Sequence, residues 1–129
     1  LALYEDINEA ARAVSSIIAN KIIPATLEFL DQPTIEVVEE FAQIGLPTDV
    51  KAILLIEQDG PPEVVNRDIE KMANVCHSMN AVDVRVAKDE TEADALRTAR
   101  RSALSALARL KPTTILEDAT VPRSQIAPM

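Results

Sequence analysis

The sequence predicts an α+β domain on an antiparallel sheet, and three observations lead there. Stretches with helical apolar spacing and short β-branched runs succeed one another as strand, helix, strand, helix, strand, helix, strand, helix. The run Ala52–Ile56 is apolar throughout, as in a strand at a sheet centre or covered on both faces. Val82, Val84 and Val86 alternate with Asp83 and Arg85, as in a half-exposed edge strand. If the helix after the second strand is an insertion, the remainder reads β-α-β-β-α-β, the split unit of ferredoxin-like folds. That topology puts the first and third strands centrally and the fourth at an edge. The expectation is therefore a ferredoxin-like β-α-β-α-β-α-β sheet with helices packed on one face and an extra long C-terminal helix. A doubly wound parallel sheet is the alternative.

Each element has a local cause. Leu1 to Tyr4 reads as the end of a strand. Asp6 and Glu9 form a D-x-x-E capping box, followed by Ile7, Ala11, Val14, Ile18 and Ile22 at helical spacing, until Pro24 stops the helix. Ala25–Leu30 reads as a strand; Asp31 and Pro33 then open a helix with Ile35, Val38 and Phe41 or Ala42 on its apolar face. Gly45 and Pro47 end it, and Val50–Ile56 supplies the next strand. Gly60-Pro61-Pro62 breaks the chain before a helix whose stripe is Val65, Ile69, Met72, Cys76 and Met79. Asp89 and Glu92 form a second capping box, launching a helix to about Leu110, and Lys111-Pro112 closes it. Asp118, Pro122 and Pro128 mark turns in the tail.

Composition narrows the function. The 129 residues suit one domain, and 47% hydrophobic with 26% charged residues is a globular mixture. The net charge of −8 repels a phosphate backbone, and with only Tyr4, Phe29 and Phe41 aromatic the chain lacks stacking platforms, so no nucleic-acid partner is expected. Two glycines, Gly45 and Gly60, cannot spell G-x-G-x-x-G or G-x-x-x-x-G-K-[ST]. One cysteine and one histidine exclude an internal disulfide, a multi-cysteine zinc site and H-E-x-x-H, and give no Ser-His-Asp signal. The longest apolar run is far short of the roughly 20 residues of a membrane span, so no transmembrane segment is expected. The sequence opens on Leu1 rather than Met, so a piece of a longer polypeptide is expected.

Few side chains stand out as chemistry. On a helical wheel of about 100° per residue, Ala93, Leu96, Ala103, Leu104 and Leu107 form one stripe, with Arg100 near its middle and Arg97 and Arg101 toward its margins. A guanidinium buried there needs a carboxylate partner, backbone carbonyls or an anionic ligand, and arginine is the side chain best shaped to grip a carboxylate through two parallel hydrogen bonds. The plainer outcomes are a structural ion pair or a snorkelling side chain. Cys76 sits on an apolar stripe as a small hydrophobe, and His77, off that stripe, reads as a solvated surface residue. Asp31 reads as a helix cap, and Glu28 either faces water or faces a cofactor or an interface.

The tail adds a family resemblance. Thr114-Ile115-Leu116-Glu117-Asp118-Ala119-Thr120-Val121-Pro122-Arg123-Ser124 resembles the T-x-x-E-D-x-x-V-P-R-S segment of FAD-linked oxidases, most like the glycolate oxidase flavin subunit and D-lactate dehydrogenase branch. Leu1-Ala2-Leu3-Tyr4-Glu5-Asp6 resembles the strand opening their C-terminal domain. Ile22-Ile23-Pro24-Ala25-Thr26-Leu27-Glu28-Phe29-Leu30-Asp31 is similar to their I-I-P-A-x-L-E-F-x-D stretch, and Ala52–Gly60 to their A-x-L-L-x-E-x-D-G strand. The resemblance implies that residues 1–129 are one domain, a fragment of the C-terminal substrate (cap) domain of a longer cytoplasmic flavoprotein. It implies FAD held mainly by a flavin-binding domain of the same chain, and oxidation of a small 2-hydroxy acid to a 2-oxo acid with hydride passing to the flavin. An iron–sulfur partner subunit is one implied electron acceptor. The family's phosphate-binding loop would precede Leu1 and its metal-binding H-x-G-D-G-N segment would follow Met129, so the fragment alone is expected neither to hold FAD tightly nor to turn over, and to carry no metal.

The resemblance also implies a substrate-binding role for Arg100, which matches the arginine of a W-x-x-R pattern facing the substrate carboxylate. Here Arg97 stands where the family often has tryptophan and Leu96 where it often has phenylalanine. That departure leaves the acid open among glycolate, D-lactate, 2-hydroxyglutarate and larger acids, and leaves open a parent that has lost activity. The competing class is a non-catalytic ferredoxin-like module, binding small acids or mediating dimerisation through an exposed sheet face.

Overall fold

A computed structural model of the chain describes residues 1–126 and 128. The elements run β1 (Ala2–Tyr4), α1 (Ile7–Ala19), β2 (Thr26–Asp31), α2 (Gln32–Ala42), β3 (Ala52–Glu57), α3 (Pro62–Ser78), β4 (Asp83–Val84) and α4 (Glu90–Leu107), with a 3-10 turn at Arg123–Gln125.

The helices start where their capping side chains put them. Asp6 is extended, and its carboxylate accepts from the Asn8 backbone N–H at 2.7 Å. Glu9 does not close that box; it takes Asn80 Nδ2 at 2.6 Å and ties α1 to the turn after α3. Asp89 accepts from the Glu92 N–H, and Glu92 returns the bond to the Lys88 N–H, both at 2.9 Å, so this capping box is displaced by one residue. Asp31 ends β2 and caps α2 directly, accepting from the Thr34 N–H at 3.2 Å, with Pro33 in the first turn. At the other end of α2, Gln43 turns left-handed (φ 51°), and Glu39 gathers the backbone N–H groups of Ile44, Gly45 and Leu46 at 3.2, 3.0 and 2.8 Å.

The sheet order is β2-β3-β1-β4, and every pairing is antiparallel. This is the ferredoxin-like arrangement, with β1 and β3 central, and it excludes the parallel alternative. β4 is shorter than the Val82–Val86 alternation suggests, and Val82 and Val86 are about half exposed. Its partner β1 offers only three residues; beyond the paired segment, the Val82 and Arg85 N–H groups still donate to Leu3 and Leu1 carbonyls.

The expectation of helices on one face needs correction. Ala2, Tyr4, Ala52 and Leu54 pack against α1 and α3, while Leu3, Leu30, Ile53 and Leu55 pack against α2 and α4. Alternation along β1 and β3 sends apolar side chains both ways, so each face needs a cover. Fully burying Ile53 and Leu54 is worth about 2 kcal/mol each.

Tyr4 is fully buried, and its Oη lies beside the Cys76 thiol, yet nothing there meets hydrogen-bonding geometry. Burial pushes the phenol far above its ordinary value, with the thiol adding to the shift.

Two outcomes follow from these contacts. Glu39→Ala leaves three backbone donors without their carboxylate and should lower stability by about 2 kcal/mol in a urea titration, with Glu39→Gln losing less. Tyr4→Phe removes an unpaired buried hydroxyl and should leave stability unchanged or raise it by up to about 1 kcal/mol. Because the folded phenol ionises above its unfolded value, its contribution is whole below about pH 10 and declines as pH rises further. Tyr4→Phe should therefore show a shallower alkaline loss in a pH series of melts.

Candidate functional site

One end of the sheet gathers the starts of β1 and β2 with the ends of β3 and β4. α3 flanks that end on one side and the first half of α4 on the other, leaving a groove of about 410 Å³. Its floor is apolar, from Leu55 and Ile56 of β3, Ile69 and Met72 of α3, and Leu96 of α4. Charge is concentrated along the rest of the wall: cationic Arg85, Lys88, Arg97 and Arg100, and anionic Glu57, Asp89 and Glu90. Every one of these cations is paired, Arg85 with Asp83, Lys88 with Glu92, Arg97 with Glu57, Glu90 and Asp94, and Arg100 with Glu28, so the groove offers an anion open N–H donors rather than a net positive charge.

The wheel places Arg100 on a buried stripe; the structure does not. The buried row of α4 is Ala99, Ser102 and Ala106, about one residue round the helix, packed against Ile35 and Val38 of α2. Small side chains bury because they let two helices approach closely, and the Ser102 hydroxyl satisfies itself on the Thr98 carbonyl at 2.7 Å. Leu104 is accordingly half exposed, and the Arg100 side chain is 48% exposed. At that exposure the Arg100 guanidinium is hydrated and does not require a partner to offset burial. What distinguishes it is its placement at the groove.

The two groove arginines of α4 differ in how fully they are occupied. Arg97 donates from Nε to Glu57 at 2.8 Å and from Nη1 to Glu90 at 2.6 Å and Asp94 at 2.7 Å. These three bonds hold its guanidinium above its already high ordinary value, that to Glu57 most. Arg100 donates only from Nε, to Glu28 at 2.6 Å, and that bond raises it in the same direction. Among the described residues nothing binds its Nη1 or Nη2, so the end-on pair of the fork is open.

The remaining candidates divide. Glu28 meets Arg100 because it points, like Leu30, to the α2/α4 side of the sheet. Asp31 is a cap. Cys76 is buried on the groove wall, where desolvation raises its thiol and keeps it protonated. His77 is exposed. The tail segment is not brought to Arg100: Ile115 and Leu116 stand exposed, and the Ser15 hydroxyl donates to the Arg123 carbonyl at 3.3 Å, so the 3-10 turn lies on α1, across the sheet from α4. Glu57, Glu90 and Asp94 were not singled out from sequence. The 90, 94, 97 spacing puts the last two on Arg97's side of the helix, but the Glu57 contact crosses 40 residues and has no local signal. No cluster of three metal-ligating side chains occurs among the described residues, and no helix there is long and apolar enough to cross a membrane.

Comparison with known proteins gives the family. Residues 1–129 match the family of FAD linked oxidases, C-terminal domain. The chain is 70% identical over 129 residues to the glycolate oxidase subunit GlcD of Bacillus subtilis, covering all of this chain and 27% of that protein. It is 39% identical over 123 residues to the glycolate oxidase subunit GlcD of Escherichia coli K12, covering 95% of this chain and 25% of that protein. The chain thus spans about a quarter of the length of these relatives. It belongs to the family of FAD-linked oxidase C-terminal domains.

Arg97 joins the start of α4 to the end of β3 through opposite charges, which generates a test. Arg97→Ala leaves Glu57, Glu90 and Asp94 as a like-charged cluster. It should lower the melting temperature more than Asp94→Ala does and speed amide exchange in the first turns of α4. Molar salt should recover part of the loss by screening the repulsion.

Proposed function

We propose that this family member forms the substrate-side cap of an FAD-dependent oxidoreductase. The enzyme oxidises a small 2-hydroxy acid, of glycolate or D-lactate type, to the 2-oxo acid. The observation that carries the reading is the unfilled Nη pair of Arg100 on the wall of the groove. A carboxylate presents two oxygens at the spacing of that pair, and a charge-assisted double bond fixes both position and orientation. Arg97, already held by three carboxylates, has little left to offer an anion, so substrate binding falls to Arg100. The names of the relatives, both glycolate oxidase subunits, support the substrate class.

The residues present do not fit the flavin's pyrophosphate. Gly45 and Gly60 stand singly in separate turns at positive φ, so the chain has no glycine-rich loop of the kind that cradles a pyrophosphate. In this reading FAD is held by the flavin-binding domain of the same polypeptide and supplies the redox chemistry. The outward row of Arg100 and half-exposed Leu104 on α4 is the surface that domain covers. Residues 1–129 are then one domain within the C-terminal part of a longer chain and are inactive alone. The proposed setting is the cytoplasm, with an iron–sulfur subunit as a partner that takes electrons onward.

The competing reading, a non-catalytic acid-binding or dimerisation module, drew on an exposed sheet face. Both faces are covered, so that support is gone. The test is a visible spectrum of the full-length protein, taken anaerobically before and after glycolate or D-lactate. Flavin bleaching is expected in the wild type, and Arg100→Ala should lose on the order of a hundredfold in kcat/KM. Equal bleaching in the two would demote Arg100 to a structural residue. A well-folded full-length protein without flavin would bring the acid-binding module forward.

A further inference from the structure

We propose that Glu28 is a positioning residue: it sets the plane of the Arg100 guanidinium so that the Nη pair faces the substrate carboxylate. This rests on the proposal that Arg100 binds that carboxylate. The geometry behind it is specific. Glu28 contacts Arg100 through Nε alone, at 2.6 Å, which occupies the one donor that an end-on carboxylate does not use. The two residues come from different elements and their side chains are similarly exposed, 48% for Arg100 and 40% for Glu28, but Glu28 has the shorter side chain and a backbone fixed in the sheet. It pairs with Leu55 in the centre of the β2–β3 ladder. Its neighbours Leu27 and Phe29 pack into the core on the opposite face. Arg100, by contrast, is a long side chain on the exposed flank of α4. An unheld guanidinium there samples many orientations, and binding must then select one of them; the strand-anchored carboxylate makes that selection beforehand.

Arg97 is the contrast. A strand carboxylate, Glu57, meets it through Nε just as Glu28 meets Arg100, but two further carboxylates of α4 take its Nη1, whereas Arg100 keeps one partner and leaves its outer edge open. Glu28 also lowers the local positive charge, which opposes anion binding, so its removal has two effects of opposite sign. Orientation outweighs charge.

The experiment uses the full-length flavoprotein with glycolate and D-lactate as substrates and oxalate as a non-reacting dicarboxylate probe, followed by the flavin absorbance change. Glu28→Ala should raise KM and the oxalate Kd about tenfold while kcat changes little, because the contact is made equally in ground and transition states. Glu28→Gln keeps an oxygen acceptor for Nε and should return most of the loss. Glu28→Asp keeps the charge but withdraws it from Nε and should resemble Glu28→Ala, and it serves equally if Glu28→Ala folds poorly. In an Arg100→Ala background, Glu28→Ala should add nothing to KM. An unchanged KM with a lowered melting temperature would mean a structural ion pair and overturn the proposal. A lower KM in both Glu28→Ala and Glu28→Gln would mean that Glu28 competes with substrate, and would overturn it as well. A wild type whose flavin is reduced, with Arg100→Ala impaired and Glu28→Ala normal, rejects this inference alone. A wild type reduced by no 2-hydroxy acid rejects the functional reading and this inference with it.

Discussion

The burial of β3 on both faces is the constraint from which the rest of the architecture follows. Ala52, Ile53 and Leu54 are completely buried and Leu55 nearly so. A strand of six residues that is apolar on both sides cannot sit in a sheet with one face open to water. It recruits α1 and α3 to one face and α2 and α4 to the other. The helix that interrupts the split β-α-β unit is therefore no ornament. α2 supplies Ile35 and Val38, the apolar ledge on which α4 rests, and thereby sets where the arginines of α4 emerge.

From that placement the electrostatics follow with little freedom. Arg97 and Arg100 are three residues apart, so they leave the helix on adjacent turns of one side. One reaches the end of β3 and the other the middle of β2. Different strands offer different carboxylates: Glu57 joins two acids of α4 itself around Arg97, and Glu28 stands alone beside Arg100. The result is one cation held by three carboxylates through Nε and Nη1 and one held by a single carboxylate through Nε, at the same groove. Arg97 is held in the wall by its three carboxylates, and Arg100 keeps an edge of its guanidinium free.

Much of the fold was legible before any coordinates. The strand and helix order, the central place of β1 and β3, the caps at Asp6, Asp31 and Asp89, and the breakers at Gly45 and Gly60-Pro61-Pro62 are local signals, carried by residues next to the structure they specify. The family was legible too, because its motifs are contiguous. The buried side of α4 was not. A wheel weighted by hydrophobicity selects Leu96, Leu104 and Leu107, but the helix buries Ala99, Ser102 and Ala106. Side-chain size, not hydropathy, decides which row can approach a second helix. The same error put Arg100 in a core it does not occupy, while leaving its identity as the notable side chain of that helix intact.

What this sequence determined by itself is the set of elements, their order, and the anionic balance that argues against a phosphate-backbone partner. All of these depend on neighbours a few residues apart. The tertiary structure alone decided that both sheet faces are covered, that Glu28 meets Arg100 of α4, and that the Arg100 fork keeps an open edge. Each depends on contacts spanning tens of residues, such as the 72 that separate Glu28 from Arg100. No periodicity records such a contact. It exists only once the register of β2 on β3 and the seating of α4 on α2 are both set.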